Sequence, residues 1–258
     1  MYSERFDAAV ALAVRDFRNT YRKGTSIPYI THLFAVATTV GEHGGDEDQL
    51  IAAVLHDWLE DVEGASATAL EAQFGARVRT LVEGLSDSFT HPKPAWKERK
   101  VAYVGRLSTK PPELKLISAA DKIHNCQCIR RDFATHGEDL WRRFSGGREG
   151  TLWYYRAVAE ALGTDWQHPL VDRLRQEVRG LWTEAATCTV EVCRTGVLRH
   201  APDLRDRLLD VGARMEMAEC FDKCDLCERF VLARIDGIFT KFRLAQELVD
   251  AVETLRSE

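Results

Sequence analysis

The sequence lacks any apolar run long enough to cross a bilayer. The longest, such as IAAVL before His56, are a handful of residues, where about 20 are needed. It also lacks the uncharged apolar stretch of a signal peptide, because MYSERFDAAV carries charges at that place. There is no basic excess. The 35 Lys+Arg against 40 Asp+Glu leave a net charge of −5, which excludes a broad basic field for duplex nucleic acid and a polybasic membrane anchor. A disulfide framework is not expected either, since seven cysteines is an odd count and no secretory signal accompanies them. These absences lead to the expectation of a soluble, cytoplasmic protein with no nucleic-acid or membrane partner. What is present can fill a core: 45% hydrophobic and 29% charged residues over 258 positions allow one medium domain with an appendage, or two small ones.

Period-two alternation is nearly absent as well, and TCTVEVC is the one stretch that tempts a strand assignment. Apolar residues instead recur at three- and four-residue steps through Phe6–Phe17, Ile30–Val40, Leu50–Val62, Val101–Leu107, Leu114–Cys128, Leu152–Leu162, Leu170–Leu181 and Phe230–Leu255. Punctuation agrees. Ser26 and Pro28 read as a helix start and Gly44-Gly45 as its end. Asp46-Glu47-Asp48 puts acid where the next helix's dipole favours it. HPKP (His91–Pro94) and Lys110-Pro111-Pro112 are breaks. The expected fold is all-α: a helical bundle over residues 1–182, followed by a helical C-terminal extension over 183–258.

Four polar residues interrupt the apolar helix faces. His32 sits in ITHLFAVA, His56 and Asp57 in LIAAVLHDWLEDV, and Asp121 in LKLISAADKIHN. A histidine alone on such a face is more often a satisfied core residue than a ligand, and an HD dipeptide alone says little. Four together are different, because a buried carboxylate must be paired or must hold a metal. Two imidazoles and two carboxylates form a mixed nitrogen and oxygen set suited to a divalent ion such as Mn²⁺ or Fe²⁺.

The order H…HD…D resembles the HD-domain metal-dependent phosphohydrolases. Longer blocks narrow the likeness: RKGTSIPYITH (Arg22–His32), LHDWLEDV (Leu55–Val62) and AADKIHN (Ala119–Asn125) resemble the R-K-G-x-x-x-P-Y-I-x-H, H-D-x-x-E-D and A-D-K/R-x-x-N blocks of RelA/SpoT-type (p)ppGpp hydrolase domains. The likeness runs over about residues 5–180, includes LWYYRAVAEAL, and has no synthetase sequence after it, as in the small stand-alone alarmone hydrolases. It implies an HD-domain helical bundle and a metal, Mn²⁺ or another divalent ion, held by His32, His56, Asp57 and Asp121. It also implies removal of the 3′-pyrophosphate of (p)ppGpp to give GDP or GTP. Such an ion acidifies a bound water and polarises the phosphoryl oxygen.

Spacing and resemblance together assign the neighbours. Glu60 and Asp61 follow the His56-Asp57 pair at i+4, so on one helix they share its faces and can serve as general base or water positioner. They could otherwise be an exposed acidic helix end. The family sets Arg22 and Lys23 beside the nucleotide base, where a guanidinium stacks well, although two solvated charges at a helix end would look the same. Asn125 is one turn beyond Asp121 and within reach of base or ribose. Lys93, Lys97, Arg99 and Lys100 form a basic run. Lys97 and Lys100 are the candidates for substrate phosphate, and Trp96 stands where the family often has a basic residue.

Residues 183–258 fall outside the resemblance. Cys220, Cys224 and Cys227 form C-x3-C-x2-C, either three buried small hydrophobes or a zinc or iron–sulfur site completed by Cys188, Cys193 or His200. Two other functional readings stand beside the alarmone one. The same metal site could act on NADPH at its 2′-phosphate or on a nucleoside monophosphate. An idle HD core could serve as a non-catalytic nucleotide-binding regulator, against which the intact ligand set and Glu60-Asp61 speak. The partners expected are a small-molecule nucleotide and, as an open possibility, a second copy of the chain.

Overall fold

In the computed structural model, the described residues are 2–87, 93–186, 188–194, 201, 203–218, 221, 231–235 and 238–257. They form two compact units, residues 1–178 and 179–258.

The first unit is helical. α1 (Glu4–Asp16), α2 (Ile30–Glu42), α3 (Glu47–Val54) and the one-turn α4 (Trp58–Asp61) are followed by α5 (Ala67–Phe74), α6 (Ala76–Leu85) and α7 (Trp96–Leu107). Then come the long α8 (Pro112–His136), a 3-10 segment (Gly137–Arg143), α9 (Gly147–Leu162) and α10 (Pro169–Glu184), whose last residues belong to the second unit. Asp46 caps α3 through a full capping box with Gln49, an arrangement worth about 1 kcal/mol. Pro112 occupies the first turn of α8, where its missing N–H costs nothing.

α8 is the axis of this unit. Leu114, Leu116, Ile117, Ala119, Ala120, Ile123, Cys126 and Ile129 are all buried along it, and it packs against α2, α3, α6 and α9. A helix apolar on so many sides is covered on those sides. Its few buried polar residues are therefore surrounded by helices.

Two helix expectations change at places that matter. α2 starts at Ile30 rather than near Ser26, because Tyr21 bridges Pro28 and Tyr29 N–H donates to the Thr20 carbonyl at 2.9 Å, holding the preceding chain in a closed loop. The stretch Leu50–Val62 is two helices, not one. The backbone leaves α3 at Leu55, and His56 and Asp57 lie in the turn before α4.

The second unit corrects the all-α expectation, since the extension carries a four-stranded mixed sheet. β1 (Cys188–Cys193), α11 (Leu204–Asp210), β2 (Ala213–Ala218), β3 (Val231–Ile235), β4 (Ile238–Phe242) and α12 (Ala245–Ser257) follow one another, with spatial order β2-β1-β3-β4. β1 pairs parallel with β2 and antiparallel with β3, and β3 pairs antiparallel with β4. Val190, Val192, Ala213, Met215, Val231 and Ala233 pack with Leu204, Leu208, Leu248 and Val252. Glu191 and Arg234 pair at 2.7 Å. Strands of five or six residues carry only two or three apolar alternations each, too few to stand out against the helical spacing around them.

Among the described residues no helix is long and apolar enough to cross a membrane. Cys126 and Cys128, both buried on α8, are free thiols. Cys220, Cys224, Cys227 and His200 lie outside the described residues.

Candidate active site

His32 comes from the first turn of α2, His56 and Asp57 from the α3–α4 turn, and Asp121 from the middle of α8. His32, His56 and Asp57 offer one ligand atom each within 4.8 Å of one another, the one such group among the described residues. Asp121 Oδ1 lies 3.3 Å from His32 Nε2 and 3.8 Å from His56 Nε2, and Asp57 Oδ2 lies 3.0 Å from His56 Nε2 and 3.8 Å from His32 Nε2.

Both imidazoles have their other nitrogen engaged. His56 Nδ1 donates to the Ala53 carbonyl at 2.8 Å, which leaves Nε2 as the inward nitrogen, where a proton or a metal ion can sit. Among the described residues that buried Nε2 has no aligned hydrogen-bond partner, although Asp57 Oδ2 lies 3.0 Å away. His32 Nδ1 meets His124 Nδ1 at 2.8 Å. Burial, then His32 and Arg22, hold His124 down to a pKa of about 4, so His124 is neutral near pH 7 and can accept the His32 proton. His32 then presents a bare Nε2 inward.

The charges ask for a cation at this point. Burial opposes the protonation of His56, yet the adjacent Asp57 outweighs it and raises the pKa to about 9. Burial also works against ionisation of Asp57 and Asp121, but the neighbouring positive charges hold both carboxyls well below the usual range. Two buried imidazole nitrogens, one of them drawn strongly to a positive charge, beside two ionised carboxylates fit a divalent metal ion. Asp121 is the more heavily tied of the carboxylates: Lys122 Nζ donates to its Oδ2 and Asn125 Nδ2 to its Oδ1, each at 2.5 Å.

A cavity of ≈ 280 Å³ opens over this cluster, lined among others by Glu60, Asp61, Trp96, Lys100, Lys122 and Tyr154. A second, of ≈ 300 Å³, is lined by Arg22, Lys23, Cys128 and Arg131 among others. Tyr29, Asp61, Asn125, Phe144 and Tyr155 line both, so the two adjoin. Arg22 Nη2 donates to Asn125 Oδ1, and its guanidinium lies 5.4 Å from the centre of the Tyr29 ring. Lys23 is exposed at the rim. Gly24 turns this loop at φ +71°, and Arg143 lies so close over it that a Cβ would sit 2.6 Å from the arginine Cδ. Glycine is required there on both counts.

Glu60 and Asp61 differ in environment. Glu60 Oε1 accepts the Asp87 amide at 2.6 Å, and Asp87 is in turn gripped by Arg99 and Lys100. Asp61 accepts no such bond among the described residues and faces both cavities, with Lys93 at 3.9 Å. Burial and Asp57 raise its pKa to about 6, against the pull of Lys93. Because α3 and α4 are separate, these two acids are not the i+4 faces of one continuous helix.

Of the two lysines singled out for phosphate, Lys100 lines the first cavity, whereas Lys97 is exposed with its Nζ 3.2 Å from the Trp153 ring centre and lines neither cavity. Trp96 packs into a notch made by Gly146 and Gly150, where a Cβ would come within 2.5 and 3.0 Å of the indole. Three neighbours were not singled out from sequence, Tyr29, Asp87 and His124, while Lys122 was readable only as a partner for Asp121, which it is. Tyr29, Lys122 and His124 stand inside the quoted PYIxH and ADKIHN blocks, and the i+3 spacing of His124 from Asp121 was a usable signal.

A helical body with two inward imidazole nitrogens and two carboxylates under a polar cavity fits a metal-dependent hydrolase-like class. The comparisons agree. A family model described as an HD domain matches residues 9–152. Human guanosine-3′,5′-bis(diphosphate) 3′-pyrophosphohydrolase MESH1 is 36% identical over 126 residues, covering 48% of this chain and 68% of that protein. The bifunctional (p)ppGpp synthase/hydrolase SpoT of Escherichia coli is 34% identical over 156 residues, 59% of this chain and 21% of that protein. The solved structure of a metazoan ortholog of SpoT described as hydrolyzing ppGpp superposes with TM-score 0.57 at 28% identity, over 69% of this chain and 95% of that one. The chain belongs to the HD-domain family and is an HD phosphohydrolase related to the MESH1 and SpoT (p)ppGpp hydrolases.

Proposed function

We propose that this chain hydrolyses the 3′-pyrophosphate of a guanosine alarmone, (p)ppGpp, releasing pyrophosphate and GDP or GTP. The observation that carries this reading is Asn125, which joins the two cavities: its Nδ2 holds Asp121 at the cation cluster and its Oδ1 holds Arg22 at the second cavity. A nucleotide lying across it puts its base by Arg22 and its 3′-phosphates by His32, His56 and Asp57. Each cavity alone is at the small end of the range for small-molecule sites, about 300–1,000 Å³, and the adjoining pair suits a nucleotide.

His32, His56, Asp57 and Asp121 would hold the divalent ion, manganese by its mixed donor set. When bound, it supplies Lewis-acid polarisation and a more acidic water. The chain's own residues do the rest. Asp61 takes a proton from the attacking water, and its raised pKa makes it a stronger base than an ordinary aspartate. Glu60 fixes the Asp87 loop. Lys100 and Lys122 receive phosphate charge, and Arg22 stacks the base.

A second reading follows from Trp96, which gives the first cavity an uncharged wall beside Lys100. That wall favours a single phosphate, as in the 2′-phosphate of NADPH. A substrate panel with Mn²⁺, comprising ppGpp, pppGpp, ppApp, NADPH and nucleoside monophosphates, separates the two when pyrophosphate and orthophosphate are followed independently. Pyrophosphate from ppGpp supports the first reading. Orthophosphate from NADPH with 3′-pyrophosphates untouched replaces it.

A further inference from the structure

We propose that Tyr29 is a two-sided positioning residue: its hydroxyl aims Asp57 at the metal position while its ring carries the base-stacking Arg22. The second half rests on the proposed function; the first does not.

The backbone of Tyr29 is pinned where the closed loop Tyr21–Pro28 meets α2. Its N–H donates to the Thr20 carbonyl and its carbonyl accepts from His32 N–H, both at 2.9 Å. The ring stacks on Phe17, with centroids 5.3 Å apart and planes 15° apart, and Phe17 is itself 2% exposed. The phenol therefore stands on a fixed base. From there its hydroxyl donates to Asp57 Oδ2 at 2.6 Å, the same oxygen that faces His56 Nε2 and His32 Nε2. Asp57 lies in a turn rather than in a helix, so its carboxylate gains no orientation from helical packing, and a short donor from a clamped ring supplies it. The edge of the same ring meets His32 at 73° and 5.5 Å, and the Arg22 guanidinium lies 5.4 Å from its centre. One side chain thus touches a carboxylate and an imidazole of the cation cluster and the arginine of the neighbouring cavity, and it lines both cavities.

A tyrosine that merely fills space would make the hydroxyl dispensable. Tyr29→Phe keeps the ring, its stack on Phe17 and the support of Arg22, and deletes the donor alone. Tyr29→Leu deletes both. Manganese affinity is read by calorimetry on the metal-free protein, kcat and KM are read with ppGpp, and thermal melts report folding. Tyr29→Phe should bind manganese about 10–100-fold more weakly, the usual cost of losing a partner of a metal ligand, with lower kcat and KM within about twofold of the parent. Tyr29→Leu should in addition raise KM several-fold, in the same direction as expected for Arg22→Ala. Parental manganese affinity in a folded Tyr29→Phe overturns the hydroxyl role, and equal KM for the two variants overturns the ring role. If the parent ignores 3′-pyrophosphates, the alarmone reading fails and the ring role falls with it, while the manganese titration still decides the hydroxyl role.

Discussion

The main-chain amide of Asp87 donates to Glu60 Oε1 at 2.6 Å, which ties one of the two adjacent acids of α4 to the chain just beyond α6. Asp61 is the one left facing both cavities. Asp61→Asn should lower kcat by about 10²–10⁴-fold, the cost of a lost general base. Glu60→Gln should cost less, because its amide oxygen still accepts from Asp87. Equal losses in steady-state assays at saturating metal would remove this division of labour.

The same residue sets the acid side of the pH profile. A base must be ionised to work, and the Asp61 carboxyl is raised to about 6 by burial and Asp57. A nearby cation favours ionisation and moves the value down. The rate should therefore fall as pH drops, with its midpoint at or below about pH 6, and the residual rate of Asp61→Asn should lack that limb. A variant that keeps the parental limb assigns it to another group.

Asp57→Ala should abolish both metal content and activity. It leaves two imidazoles and Asp121, whose oxygens are already occupied by Lys122 and Asn125, and such a set holds a hard ion poorly. Elemental analysis of the purified variant checks this, and full occupancy would sink the ligand assignment.

Arg22→Ala should raise KM for a guanosine substrate more than it lowers kcat, since a stacking contact is made equally in ground and transition states. A loss of about 0.5–2 kcal/mol corresponds to a few-fold to about thirty-fold in KM. Arg22→Lys should recover little of it. Unaltered KM across the nucleotide panel would remove Arg22 from the base site.

Gly146→Ala places a Cβ 2.5 Å from the Trp96 ring, so the indole must move. KM should rise and Trp96 fluorescence should shift, with little change in metal content. Parental KM and fluorescence would mean the ring has room to yield.

The helices of the first unit were legible because amphipathic spacing persists for several turns in α1, α2, α9 and α10, and because α8 is too long and too continuously apolar for a strand. The break at His56-Asp57 was not, since Leu55 and Trp58 continue the apolar spacing across it while the backbone departs. His32, His56 and Asp57 could be picked out as polar residues in apolar stripes, a pattern carried by neighbours in sequence. Tyr29 and His124 could not be given roles. Their contacts are hydrogen bonds to residues 28 and 92 positions away, and an aromatic residue in an apolar segment needs no partner to look satisfied. The sheet of the second unit was hidden by strand length.

α8 carries Asp121 and Asn125 one turn apart on an unbroken helix, and so on a covalent ruler of about 6 Å. One holds the cation cluster and the other the second cavity. A residue inserted between them would swing everything beyond it by about 100° and remove Asn125 and Cys128 from the site at once. Changes of substrate in this scaffold are therefore confined to side chains exchanged in place, or to the loops that bring Arg22 and Trp96 to the rod. The spacing between the two half-sites is a fixed dimension of the molecule.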